Sequence, residues 1–333
     1  MEVPVAIRPA GQEPVDASLA TKSAPAASPF SRLARATALS DQQYKWVLLL
    51  PAIVVIFLLA IFPMAFAFVV TFTNWDLYLV DPPKFIGLDQ WIRVLTDIGF
   101  LIPARNTIVF AAGAVTFEFL VGLIVALALN NCGRGRTFFR IAFLLPLMVS
   151  PVAVAFIMGR TMFDPSVGPA HDILVSLGMM PIPWLIDSFW AMITLIIVDS
   201  WGGTAFMILM LTAGLQSLPQ EPSEAAKVDG ASEWQNLRYV TLPLLAPVMV
   251  TAVLIRSLDA FKVVDIIATI TGGGPGNATE SLTLRVYNIA VRGGDVSYGA
   301  TAGYGLVIIM TVFTVLYLLA TRSSVSAAIG RER

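Results

Sequence analysis

The sequence predicts an all-α, polytopic membrane protein, a helical bundle with six transmembrane helices. Hydrophobic residues fill 57% of its 333 positions and charged residues only 13%, about half the 25% usual in a soluble domain. Six apolar runs, at 46–72, 107–129, 138–162, 189–215, 244–270 and 299–321, each reach the ~20 residues a helix needs to cross the hydrocarbon core. The basic residues between the runs also segregate by side. A soluble fold could not hide this much apolar surface, so the bilayer is its solvent.

Residues 1–45 come first and differ from the rest. They are rich in Ala, Pro and Ser, and without apolar periodicity they are expected to form a disordered tail. The run that follows is too long for the apolar core of a signal peptide, so it stays as a spanning helix. Pro51 and Pro63 lie within it, and membrane bundles tolerate such prolines when neighbours satisfy the freed carbonyls. Orientation follows from Lys and Arg. Arg8, Lys22, Arg32, Arg35, Lys45, Arg134, Arg136, Arg140, Lys227, Arg238, Arg322, Arg331 and Arg333 fall on one side, and Lys84, Arg93, Arg105, Arg285 and Arg292 on the other. Thirteen against five puts both termini, including a C-terminal tail at 322–333, in the cytoplasm.

Several function classes are excluded. A net charge of −1 gives no field for nucleic acid. One cysteine, Cys132, and one histidine, His171, allow neither an intrachain disulfide nor a thiolate or imidazole metal cluster. No GxxxxGK[ST] phosphate loop is present: Gly272, Gly273 and Gly274 are read instead as a tight turn. Asp76, Asp81 and Asp89 make at best a thin acidic loop, not the constellation a membrane enzyme wants.

The loop over 216–247 carries the strongest local signal. Pro219 and Pro222 interrupt the chain after the fourth span. Ser223 is placed to cap a short helix whose first turn holds Glu221 and Glu224. Gly230 ends that helix, a second stretch runs over 232–240, and Pro243 and Pro247 open the fifth span. A short helix with small residues and acidic corners at the membrane surface suits docking in a groove of another protein, though a plain amphipathic connector has the same pattern.

The segment EAAKVDGA followed by TLP resembles the EAA loop of ABC import permeases. TFTNWD, FIGLDQW, RTFFRIAFLLP and TGGGPGNATESL extend the resemblance over 46–321, to the carbohydrate-uptake branch and its maltose and glycerol-phosphate type of first permease. The family places Glu224, Ala225, Ala226, Asp229, Gly230, Ala231, Leu242 and Pro243 in contact with an ATPase subunit; Ser223 departs from the large residue frequent there. The resemblance implies a type I ABC importer permease fold in a bacterial inner membrane. It further implies a non-catalytic chain that works with a second permease, two ATPase subunits that hold ATP and magnesium, and an extracytoplasmic solute-binding protein. Cofactors are expected in those partners and none in this chain.

Charges inside spans need a partner or a pathway. Asp199, Gly202, Gly203 and Phe206 share one helical face in the fourth span, and Arg256, Asp259, Ala260 and Val263 one face in the fifth. Each face mixes a charge with small or apolar groups, as a sugar site requires, and Trp201 adds a flat ring. Residues on corresponding faces contact sugar in the maltose permease, and the resemblance carries that role onto these eight positions. The alternative is an internal salt-bridge set, with Arg256–Asp259 and Asp259–Lys262 as i,i+3 pairs. Glu118, in the second span, is read as structural. An ion-coupled secondary transporter is the competing function, but it shows no use for the EAA loop and no internal repeat appears.

Overall fold

A computed structural model describes residues 40–133 and 135–329. The expected tail up to residue 39, Arg134 and the last four residues lie outside the described residues. Among the described residues the structure is helical, with two isolated bridges and no strand. Five helices are long and apolar enough to cross a membrane, and a sixth span is a bent pair. The chain divides into two units, Met1–Pro63 and Met64–Arg333.

In the first unit, Ser40 and Gln43 form a capping box. The Ser40 N–H donates to Gln43 Oε1 at 2.9 Å, and the Gln43 N–H to Ser40 Oγ at 3.3 Å. The helix Asp41–Ile56 therefore starts inside the stretch expected as tail. A π-helical turn follows at Phe57–Ile61, closed by the Phe62 N–H on the Phe57 carbonyl. It lies immediately before Pro63, whose ring would crowd a regular i−4 carbonyl and which has no N–H to donate.

The second unit holds the remaining spans. Asp97 caps the second, Ile98–Asn131, by accepting the Gly99 N–H at 2.8 Å. Asp187 caps the fourth, Ser188–Ser217, by accepting from Phe189 and Trp190 at 2.9 and 3.1 Å. These two helices pack on each other along much of their length through small residues. At Gly122 a Cβ would collide with the Met207 side chain. In a bilayer, where lipid is as apolar as Leu, such close backbone approach and van der Waals packing hold helices together. Phe110, Ala114, Leu195, Met207, Leu211, Leu245 and Ala252 fill the shared core.

Two spans depart from expectation. The third is not one helix over 138–162: Arg136–Met148 and Pro151–Met162 meet at 94°. Pro146, Ser150 and Pro151 account for the break, since each proline withdraws a donor and Ser150 is extended at φ −60°, ψ 135°. The fifth begins earlier and ends earlier than 244–270. Its helix runs Glu233–Phe261, so the separate stretch expected at 232–240 is its first part. A π turn at Leu237–Thr241 precedes Pro243, repeating the arrangement before Pro63. Lys262 caps the helix, and after a short break Asp265–Ile270 forms its own helix. The sixth span is Val296–Arg322, and its helix continues to Ile329, into the segment expected as C-terminal tail.

The glycine turn after the fifth span is tight, with Gly272 and Gly273 at φ +61° and +95°. Asn106 of the second span ties it down, its Nδ2 donating to the Asn277 carbonyl at 3.0 Å and the Glu280 carbonyl at 3.3 Å.

Candidate functional site

The charged faces of the fourth and fifth spans meet across a cavity of about 320 Å³, within the size range of small-molecule sites. Asp199, Gly202, Gly203 and Phe206 line it from the fourth span, and Arg256 and Asp259 from the fifth. The broken third span supplies the facing wall through Pro146, Leu147, Val149, Pro151 and Val154. Ala260 and Val263 do not line it. Ala260 is buried in the core, and Val263 lies past the end of the helix at Phe261, so the i+7 spacing from Arg256 has no helix to act through. Trp201 is not among the lining residues either.

The electrostatics of the wall differ from both expected arrangements. Arg256 does not pair with Asp259. Its Nε and Nη2 donate to the two carboxyl oxygens of Glu118, at 2.7 and 2.9 Å, and Nη2 also donates to Asp199 Oδ2. Glu118 is fully buried, and the side chains of Arg256 and Asp199 are only 10% and 12% exposed. Asp259 pairs with Lys262 at 3.0 Å, and both of those side chains are more than half exposed. So one of the two predicted i,i+3 pairs forms and the other is replaced by a long-range triad over three spans. Glu118, read as structural, is the buried partner of the principal charge of the site.

The two adjacent glycines do different things. A Cβ at Gly202 would meet nothing within 4 Å, so this position opens onto the cavity. A Cβ at Gly203 would overlap the Glu118 carboxyl group, so the absence of a side chain there makes room for the ion pair.

The loop after the fourth span folds as a helix, Glu221–Val228, with Gln220 rather than Ser223 at its N-cap position, where the Gln220 carbonyl accepts from the Ser223 and Glu224 N–H groups and no side chain caps the helix. Ser223 instead accepts from Asn236 Nδ2 at 2.7 Å, which pins this helix to the start of the fifth span. Lys227 pairs with Glu233 at 3.1 Å. The helix ends in a Schellman turn, with the Gly230 N–H donating to the Lys227 carbonyl and the Ala231 N–H to the Ala226 carbonyl. Gly230 sits at φ +81°, in the left-handed region that glycine enters without steric penalty. Glu224, Ala225, Asp229 and Gly230 are exposed, while Ala226, Leu242 and Pro243 are half-buried.

Residues 118–327 match the family described as Binding-protein-dependent transport system inner membrane component. The chain belongs to this family of binding-protein-dependent transport permeases. Among curated relatives of the permease, the trehalose/maltose transport system permease protein MalF of Thermococcus litoralis is 35% identical over 273 residues, covering 82% of this chain and 92% of the relative. The sulfoquinovosyl glycerol transport system permease protein SmoG of Agrobacterium fabrum is 30% identical, covering 86% and 92%. The permease also shares its fold with a chain of a crystallised bacterial alginate ABC transporter, at a TM-score of 0.73 and 21% identity, over 84% of this chain and 94% of that one. The type I importer permease fold expected from the sequence is thus the fold observed, and a multi-pass inner-membrane location follows from the family and the spans.

Proposed function

We propose that this permease forms one half of the transmembrane path of an ATP-driven, binding-protein-dependent importer of a sugar or sugar derivative, and that Glu221–Val228 transmits the ATPase stroke to it. The observation that carries the reading is the cavity between the fourth and fifth spans, a mixed wall of carboxylates, guanidinium, glycine and Phe206 in a chain of this family. Carbohydrate is the chemistry common to the names of the two relatives above. A second permease, two ATPase subunits with ATP and magnesium, and an extracytoplasmic binding protein complete the machine, and both termini face the cytoplasm. Glu224, Ala225, Asp229 and Gly230 form the exposed docking surface, and Ala226, Leu242 and Pro243 support it from below.

The test is ATP hydrolysis stimulated by the loaded binding protein in reconstituted complexes. Glu224→Lys reverses a charge on the docking face, and Gly230→Val strains the left-handed turn. Both variants are expected to insert and assemble while stimulation falls at least about tenfold, the loss that ~1.4 kcal/mol of coupling free energy corresponds to. Unchanged stimulation in both would end the coupling role. A broken span beside buried ionisable groups is also a feature of ion-coupled carriers. Uptake that persists without ATP and collapses with the ion gradient would favour that reading.

A further inference from the structure

We propose that Glu118 is a positioning residue for the substrate cavity: it fixes the Arg256 guanidinium and cancels its charge, so that this wall favours uncharged polyhydroxylated substrates over anionic ones. The proposal rests on the reading of this cavity as part of the substrate path.

The argument starts from the number of carboxylates. A guanidinium among apolar helices needs one carboxylate for neutrality, and Arg256 has two. Glu118 takes the Nε–Nη2 edge through both oxygens, the fork geometry of a strong ion pair. With both carboxyl groups ionised, Asp199 is then surplus to neutralisation and the triad carries one net negative charge. Asp259 adds a second carboxylate to the cavity wall, balanced by Lys262 at 3.0 Å, which is not among the lining residues. An anion entering here would face Asp199 and Asp259 and meet no uncommitted cation. A hydroxyl both donates and accepts: it can give its proton to either carboxylate and take a hydrogen bond from Arg256 Nη1, for which no partner is described. Two neighbouring hydroxyls on a sugar ring fit that donor–acceptor pair. The arrangement is built in from the fourth span as well, since any side chain at 203 would displace Glu118.

The sign of the charge in the cavity can be read without knowing the sugar. Gly202 opens onto the cavity, so Gly202→Cys in a Cys132→Ser background places the only thiol of the chain there. The assembled, detergent-purified complex is labelled with a cationic trimethylammonium-ethyl and an anionic sulfonato-ethyl methanethiosulfonate. Each rate is divided by that of the same reagent with mercaptoethanol. The corrected cationic-to-anionic ratio is expected to exceed about tenfold, the lower end of the local concentration changes that a charged cleft produces. Glu118→Gln, which leaves Arg256 with Asp199 alone, should bring the ratio close to one, and Glu118→Asp should keep it high. Should Glu118→Gln not assemble, Asp259→Asn, at a half-exposed position, must lower the ratio instead. A ratio at or below one in the parent, a ratio unmoved by these neutralising changes, or no labelling by either reagent would overturn the proposal. Failure of wild-type complex to take up any sugar with ATP would count against the importer reading and leave this ratio as it stands, so the two fail separately.

Discussion

Adding a single methyl group at Gly203 tests the ion triad and the helix packing together. Gly203→Ala places a Cβ within the envelope of the Glu118 carboxyl group, which is fully buried and already held by Arg256 at 2.7 and 2.9 Å. Either the fourth span moves off the second, which costs roughly 1–3 kcal/mol as ordinary overpacking, or Glu118 swings away and leaves Arg256 short of a partner. Breaking a buried pair in that way costs about 3–5 kcal/mol. Alanine also returns up to about 1 kcal/mol of helix propensity, so a net loss of roughly 0–4 kcal/mol is expected, the propensity gain being set against whichever penalty applies. Gly202→Ala is the internal control. It brings the same propensity gain on the same helix, one residue away, with nothing within 4 Å of the new methyl. The assay is the thermal midpoint of the purified complex in detergent, followed by size-exclusion recovery and tryptophan fluorescence. Gly203→Ala should lower the midpoint and Gly202→Ala should leave it level or raise it. Equal midpoints for the two variants would refute the packing of Glu118 against the fourth span.

Two further outcomes follow from the same contacts. Arg256→Met leaves Glu118 and Asp199 without their cation and should cost about 3–5 kcal/mol, seen as lost assembly; combining it with Glu118→Leu and Asp199→Asn should restore assembly but not sugar uptake, and restored uptake would make the triad purely structural. Just before the second span, the Tyr298 hydroxyl and then the Gly99 N–H, with Arg285 and Arg93 nearby, hold the Asp97 carboxyl below its ordinary value against a partial burial that pushes it up. A depressed carboxylate stabilises the fold above its unfolded pKa, about 3.9, and that contribution is lost as pH falls through the lower folded value. The thermal midpoint of the wild type should therefore drop on acidification below that range, and Asp97→Asn should flatten this part of the profile.

Hydropathy made most of the bundle legible. The fourth span was expected at 189–215 and is Ser188–Ser217, because one long apolar helix between a capping Asp and a proline-bearing loop leaves little freedom. The end of the loop helix at Gly230 was legible too, since glycine there marks a left-handed stop. The bend in the third span was not, because hydropathy averages across it. Its signal was local: Pro146, Ser150 and Pro151 within six residues. The fifth span ends at Phe261 with no glycine or proline to announce it, which is why Val263 was drawn onto a face that no longer exists there. Spacing along one helix suggested that Arg256 would take Asp259. It takes Glu118, 138 residues away, because the Arg256 side chain faces the second and fourth spans while Asp259 turns to the exposed Lys262. Pair contacts between spans depend on how the helices are rotated about their axes, and a single sequence does not encode that locally.

The π turn at Leu237–Thr241 sets one such rotation. Each residue of an α-helix advances the chain by about 100° and 1.5 Å, and a π turn accommodates one residue more than the regular winding. Everything before the turn, including the Ser223–Asn236 tether, is thereby clocked against everything after it, including Arg256. The proline of the TLP segment, Pro243, holds the turn open, since regular winding would press its ring on the carbonyl four residues back. Removing one residue inside 237–241 would impose regular winding and keep the two ends in phase, at the cost of pressing the Pro243 ring on that carbonyl. Removing one between Pro247 and Arg256 would swing the guanidinium about a quarter-turn out of the cavity. The proline in the loop signature thus works as an angular gauge between the helix Glu221–Val228 and the Arg256 guanidinium.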